Sequence, residues 1–309
     1  MTPVLAVEKL TTRFDLHSGV FGKVTGRVHA VENVSFEIFP GETLALVGES
    51  GCGKSTIGRS ILQLDRPVSG SIRFEGRETL GQPAREIQAL RRQVQMVFQD
   101  PFSSLNPRMT VGQAIADPML VHGGLSRAEI QARVAELLQR VGLSPEHARR
   151  HPHAFSGGQR QRICIARALS TRPKLVIADE AVASLDVTIQ AQVINLLMDL
   201  QAETGISVLF ISHDMAVVER MAHRVAVMYL GQIVEIGSRR EVFGNPRHSY
   251  TRKLLSSVPV ADPRERPENR LLLADEIPSA VRPPDFEPVF LPMRQVSDRH
   301  FVRAEAWEA

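Results

Sequence analysis

Residues 48–55 read Gly48-Glu49-Ser50-Gly51-Cys52-Gly53-Lys54-Ser55, and no other stretch restricts the fold of this chain as strongly. The spacing is G-x-x-x-x-G-K-S. Its glycines let the backbone curl until its N–H groups face inward, an arrangement that a phosphate completes. The apolar run Thr43-Leu44-Ala45-Leu46-Val47 precedes it, and a helical pattern over 54–64 follows. Strand, glycine turn and helix together aim the positive end of the helix at an anion. In such a turn Lys54 reaches β- and γ-phosphates, the Ser55 hydroxyl ligates Mg2+, and Thr56 neighbours an α-phosphate. A tight structural turn is the plainer alternative. The positive potential inside the loop can lower the thiol pKa of Cys52, although a small filling residue there would do as well.

Around this turn, short apolar runs alternate with helical patterns. Residues 28–39 have strand character and end at the Pro40-Gly41 turn signal. A polar helix over 86–92 passes into a strand at 94–98. Residues 111–143 pattern as helix, with Ser126 and Glu129 spaced as a capping box. Helices over 159–169, 188–203 and 215–222 alternate with strands at 175–178 and 207–211, and 225–229 with 232–236 reads as a hairpin around Gly231. Residues 15–26 carry three glycines and read as a long loop. The alternation predicts a mostly parallel α/β core. Within it, Leu175-Val176-Ile177-Ala178-Asp179-Glu180 is an apolar strand ending in two acids. Asp179 is the candidate Mg2+ partner and Glu180 the candidate base for an attacking water.

Composition removes several classes. With 43% hydrophobic and 23% charged residues the chain is globular rather than disordered. No apolar run approaches the 18 or so residues needed to cross a bilayer, and the first ten lack the pattern of a secretory signal. Two cysteines, Cys52 and Cys164, cannot build a disulfide framework, a four-thiolate zinc site or an iron–sulfur cluster. A net charge of +3 without a block of five like charges argues against a nucleic-acid arm or a polybasic anchor. Residues 258–309 hold 8 of the 19 prolines and are net acidic, which predicts an extended, loosely ordered tail.

Phe155-Ser156-Gly157-Gly158-Gln159 taken alone is a helix entry capped by Ser156. Following one phosphate motif and preceding the other, it makes residues 5–260 resemble the ATP-binding cassette (ABC) ATPases, motif by motif and in order. Phe155 stands where that family usually has leucine. The resemblance implies a P-loop NTPase with a RecA-like core, an N-terminal antiparallel β subdomain and a helical lobe inserted at about 100–170. The ABC ATPase domain would then occupy 1–257 and the Pro-rich extension 258–309. It also implies roles. Gln99 is the glutamine that senses Mg2+, and Ser184, Leu185 and Asp186 form the loop that communicates across a dimer. His213 contacts the γ-phosphate, and Phe14 stacks on adenine unless it is ordinary core. Ser156, Gly157, Gly158 and Gln159 face ATP held by a second cassette, so no single copy completes a site.

Within the family, the loop between Phe14 and Val28, the segment Asp100-Pro101-Phe102-Ser103-Ser104-Leu105-Asn106-Pro107, Pro152-His153 and Asn245-Pro246-Arg247-His248-Ser249-Tyr250-Thr251-Arg252-Lys253-Leu254-Leu255 resemble the oligopeptide and dipeptide importers. Ser249, Ala154 and Ala181 depart from that branch, where Pro, Glu and Pro are usual. Asp179-Glu180-Ala181-Val182, the run 209–237 and Val258-Pro259-Val260-Ala261 are most similar to the second ATPase half of the glutathione importers. The implied function is ATP hydrolysis powering import of glutathione or short peptides, on the cytoplasmic face of the inner membrane. The implied partners are a second cassette, transmembrane permease subunits and, indirectly, a periplasmic solute-binding protein. The alternatives are a soluble ABC ATPase in DNA repair or translation, and a non-hydrolytic regulatory module.

Overall fold

The computed structural model describes residues 2–18, 23–257 and 279–304. The chain divides into two compact units. One comprises Met1–Val4, Ile38–Glu42 and Phe74–Ile211; the other comprises Leu5–Glu37, Thr43–Arg73 and Ser212–Ala309.

The first unit is built on three parallel strands, Val94–Val97, Leu175–Asp179 and Ser207–Ser212. They pair Val94 with Leu175 and Val97 with Ala178, then Leu175 with Ser207 and Asp179 with Ile211. Every residue of Leu175–Asp179 and Ser207–Ser212 is buried, as expected of strands covered on both faces. Its helices are Ala84–Gln93, the short turn Pro101–Ser104, Val111–His122, Arg127–Arg140, Gly157–Ala168 and Val187–Thr204. The single pattern over 111–143 resolves into two helices because Gly123 and Gly124, both at positive φ, end the first. Each starts on a capping box, Thr110 with Gln113 and Ser126 with Glu129.

The second unit carries an antiparallel sheet in the order Val281–Arg282, Lys23–Ile38, Leu5–Ser18, Ser69–Phe74. The long loop expected at 15–26 is therefore mostly strand. Pairing of two long strands absorbs the polar residues on an exposed face, and only 19–22 lie outside the described residues. Thr43–Val47, buried throughout, runs parallel to Arg224–Tyr229, pairing Leu44 with Arg224 and Val47 with Val227. Arg224–Tyr229 forms the expected hairpin with Gln232–Ser238.

The tail departs from the expectation of loose order where it is described. Val281–Arg282 pairs with Val28 and Arg27, while His300–Arg303 pairs with Gln232–Ser238 and, on its other side, with Met293–Ser297. The physical reason is a long-range ladder: edge strands that composition cannot reveal accept these segments. Residues 258–278 lie outside the described residues. No helix among the described residues is long and apolar enough to cross a membrane.

Candidate nucleotide site

The glycine turn is shaped by its neighbours as much as by its own sequence. Gly48 sits at φ +150°, and a Cβ there would lie 2.2 Å from the Met228 carbonyl oxygen; Gly53, at φ +100°, would place one 1.8 Å from the Ala30 carbonyl oxygen. Neither position can carry a side chain. The helix Lys54–Ile61 follows with no side-chain cap at Gly53, in contrast to the Ser, Thr and Asp caps of other helices here. Its first N–H groups carry the positive end of the helix dipole, which favours an anion.

Lys54 is 4% exposed, and its Nζ donates to the Gly48 and Glu49 carbonyl oxygens at 2.8 Å each. No carboxylate pairs with it among the described residues. A buried ammonium held by neutral groups is a costly arrangement that a polyphosphate would relieve, so the loop fits a nucleotide. Cys52 Sγ lies 3.7 Å from Lys54 Nζ. Burial nevertheless pushes the Cys52 thiol above its ordinary pKa, outweighing the nearby ammonium. The potential of the loop does not activate this cysteine.

Two more expected residues lie in the same unit. His213 is exposed, directly after Ser207–Ser212 and before Asp214, whose Oδ1 accepts the Ala216 and Val217 N–H groups to cap Met215–Met221. Phe14 is 39% exposed on the strand Leu5–Ser18, which removes the reading as core.

The first unit carries the acidic residues. Asp179, 7% exposed, ends its strand, and Glu180 follows at φ +46°, a left-handed conformation that a residue with a Cβ rarely adopts. The Glu180 N–H donates to the Ile211 carbonyl, and its Oε2 accepts the Gln99 amide N–H at 2.8 Å. Gln99 and Glu180, 81 residues apart, are thus brought together. Asp179 carries hard oxygen donors of the kind Mg2+ takes; in the other unit Ser55 opens the helix Lys54–Ile61 with a hydroxyl of the same kind. No cluster of three or more His, Cys, Asp or Glu suited to a metal occurs among the described residues.

Ser156 Oγ accepts the Gln159 N–H, and Gln159 Oε1 accepts the Ser156 N–H, so both residues form a capping box on Gly157–Ala168. Gly158 has a packing reason as well: a Cβ there would meet Ile189 Cγ2 at 2.3 Å, whereas one at Gly157 would lie 3.8 Å from Leu185 Cδ2. Asp186 Oδ1 accepts the Ile189 N–H and caps Val187–Thr204; Ser184 and Asp186 are exposed, with Leu185 half-buried.

One contact to the phosphate loop was given no role by sequence reasoning. The Glu49 N–H donates to Tyr250 Oη at 3.2 Å, and Tyr250 packs on Tyr229 with ring centroids 4.3 Å apart. The two tyrosines, the loop residues Glu49 and Cys52, and Ala280 line a cavity of about 290 Å³. The segment around Tyr250 stands out by its residue pattern, but nothing local tells that its phenol reaches position 49.

Residues 31–183 match the ABC transporter family, and residues 234–285 match the C-terminal region of oligopeptide/dipeptide transporters. The glutathione import ATP-binding protein GsiA of Pectobacterium atrosepticum is 61% identical over 300 residues, and that of Escherichia coli K12 is 59% identical over 301. Each match covers 97% of this chain and 48% of the relative, so the chain spans about half the length of these proteins. Among solved structures, cbiO1 of Clostridium perfringens, part of the ABC transporter complex cbiONQ, is 31% identical with a TM-score of 0.67, covering 79% of this chain and 92% of that one. The dimeric ATP-binding cassette MJ0796, bound to ADP and Pi in a post-hydrolysis state, is 28% identical with a TM-score of 0.68, covering 76% and 99%. A glycine loop around a lysine with no carboxylate partner among the described residues, two acids at a strand end and these similarities lead to one family: the chain belongs to the ABC transporter family as an ATP-binding cassette.

Proposed function

We propose that this chain is the ATP-hydrolysing subunit of an ABC importer for glutathione or short peptides, acting as a dimer of cassettes against transmembrane permease subunits at the cytoplasmic face of the membrane. The observation that carries the nucleotide reading is Lys54, buried on the Gly48 and Glu49 carbonyls with no carboxylate partner among the described residues. The importer reading is supported by the 59–61% identity to glutathione import proteins and by the transporter-type C-terminal region. In this reading the cassette occupies 1–257 with its helical lobe at about 100–170, and 258–309 is an extension. The longest helix between Lys54 and Ser156, Arg127–Arg140, has 14 residues, too short for the coiled-coil insertion of a DNA-repair ATPase.

Each residue then has a task. Lys54 leaves the loop carbonyls for the β- and γ-phosphates, and the backbone of residues 48–56 holds the rest of the polyphosphate. Phe14 offers its exposed face to the adenine. Ser55, Asp179 and Gln99 would hold Mg2+, which would supply charge neutralisation to the phosphates. Glu180 orients the attacking water and accepts its proton, and Gln99, bonded to it through Nε2, positions that carboxylate. His213 steadies the γ-phosphate. Ser156, Gly157, Gly158 and Gln159, with the loop Ser184 to Asp186, act on the nucleotide of the opposing cassette. The helix end capped at Ser156 adds favourable potential there.

The test is hydrolysis by the purified chain and by K54A, followed by uptake of labelled glutathione and dipeptides in cells with and without the gene. Hydrolysis unaffected by K54A would refute the site. Uptake unchanged by deletion, with no integral membrane protein co-purifying, would refute the importer.

A further inference from the structure

We propose that Tyr250 is a positioning residue of the phosphate loop, holding the Glu49 amide through its phenol oxygen, and that the C-terminal segments are there to hold Tyr250. This rests on the nucleotide reading of the loop given above.

The peptide group joining Gly48 to Glu49 is gripped at both ends. Its carbonyl accepts Lys54 Nζ at 2.8 Å, and its N–H donates to Tyr250 Oη at 3.2 Å. In a trans peptide these two atoms point in opposite directions, so turning the plane breaks both bonds together. Gly48 on one side removes the steric barrier that would otherwise stop such a turn. Tyr250 supplies the restraint that glycine gives up. Tyr250 is 7% exposed, and burial pushes its phenol pKa well up, so it remains neutral at the loop.

What holds Tyr250 comes from two distant segments. Glu235 is fully buried and receives three donors: the N–H groups of Arg247 and His248 at 2.9 Å each, and His300 Nε2 at 2.7 Å. His248 caps the helix Ser249–Ser256 by accepting the Tyr250 N–H on Nδ1 at 3.1 Å. His300 belongs to the C-terminal strand that pairs beside Glu235. A single carboxylate therefore joins the C-terminal hairpin to the turn before Tyr250, and Tyr250 joins that turn to the loop. A packing role needs only the tyrosine ring; the bond to Glu49 needs the oxygen.

The experiment compares the full chain with Y250F, E235Q and the double variant. ATP affinity is read by displacement of the fluorescent analogue TNP-ATP, and KM and kcat by hydrolysis. Y250F keeps the ring and loses the acceptor. Its Kd and KM for ATP should rise about three- to tenfold, the factor carried by one buried hydrogen bond, with a smaller fall in kcat. E235Q should weaken ATP binding in the same direction, and the double variant should lose less than the product of the two single factors. Wild-type Kd and KM in Y250F would overturn the role of Tyr250, and multiplicative losses would overturn the relay through Glu235. If E235Q fails to fold, Y250F alone decides the first point. A wild-type chain that does not bind TNP-ATP or ATP would instead refute the nucleotide reading itself.

Discussion

Replacing Gly158 with alanine separates two reasons for a glycine in the segment 155–159. The added Cβ would stand 2.3 Å from Ile189 Cγ2, about 1.5 Å inside ordinary carbon contact. Ile189 cannot yield cheaply. It is β-branched within a helix, which restricts χ1, and its backbone N–H is tied to Asp186 Oδ1 at 3.0 Å. Overpacking of this kind costs about 1–3 kcal/mol. The higher helix propensity of alanine returns less than about 1 kcal/mol, leaving a net loss of about 1–2 kcal/mol. At about 2–4 °C per kcal/mol for a unit of this size, the Tm of G158A should fall by about 2–8 °C. The adjacent G157A meets only Leu185 at 3.8 Å and should melt close to the parent. Adding I189A to G158A removes the clashing methyl, so the cycle of G158A, I189A and the double variant should show a favourable coupling of about 1 kcal/mol or more. Thermal melts and urea titrations measure it. If Gly158 also faces the nucleotide of a second cassette, the double variant regains stability without regaining ATPase activity. A parental Tm in G158A, or strictly additive energies, would refute the steric argument.

Other consequences are as direct. E180Q should retain ATP binding while losing most hydrolysis, and should accumulate an ATP-bound dimer on size exclusion; parental turnover would dismiss Glu180 as the base. Hydrogen bonds from Ser238 and Ser297 hold the Glu241 carboxylate down at about 2 against an unfolded value near 4.5. A lowered carboxylate pKa contributes stability that is fully present above about pH 4.5 and is lost as pH falls toward about 2. S297A should therefore lose less stability than the parent across that window in acid titrations followed by circular dichroism. Burial raises both thiols, Cys164 to about 11, so iodoacetamide at pH 8 should label Cys52 and Cys164 far more slowly in the native chain than in urea. Rapid native labelling of Cys52 would show that the loop opens.

The elements most legible in the sequence are those whose cause is local. The helix entry at Ser126 announces itself through Glu129 three residues on, and the structure adds the equivalent pair Thr110 and Gln113. The hairpin at Gly231 lies where the turn signal stands. Residues 15–18 and 23–26 misread as loop because polar residues there mark an exposed strand face as readily as a turn. The order in 279–304 was hidden for a similar reason: a proline-rich composition says how a segment behaves alone, not which sheet edge awaits it.

The candidate site divides the same way. Sequence alone determined the glycine turn before the helix at Lys54, the acidic strand end and the helix entry at Ser156, because glycine freedom, apolar alternation and capping act within a few residues. Only tertiary structure decided that the Met228 and Ala30 carbonyls and Ile189 forbid side chains at Gly48, Gly53 and Gly158. The same holds for the left-handed Glu180 bonded to Gln99, for the burial that raises rather than lowers the Cys52 thiol, and for Tyr250 reaching Glu49 from 201 residues away. These are consequences of close approach between distant segments, and close approach is a property of packing that no local pattern carries.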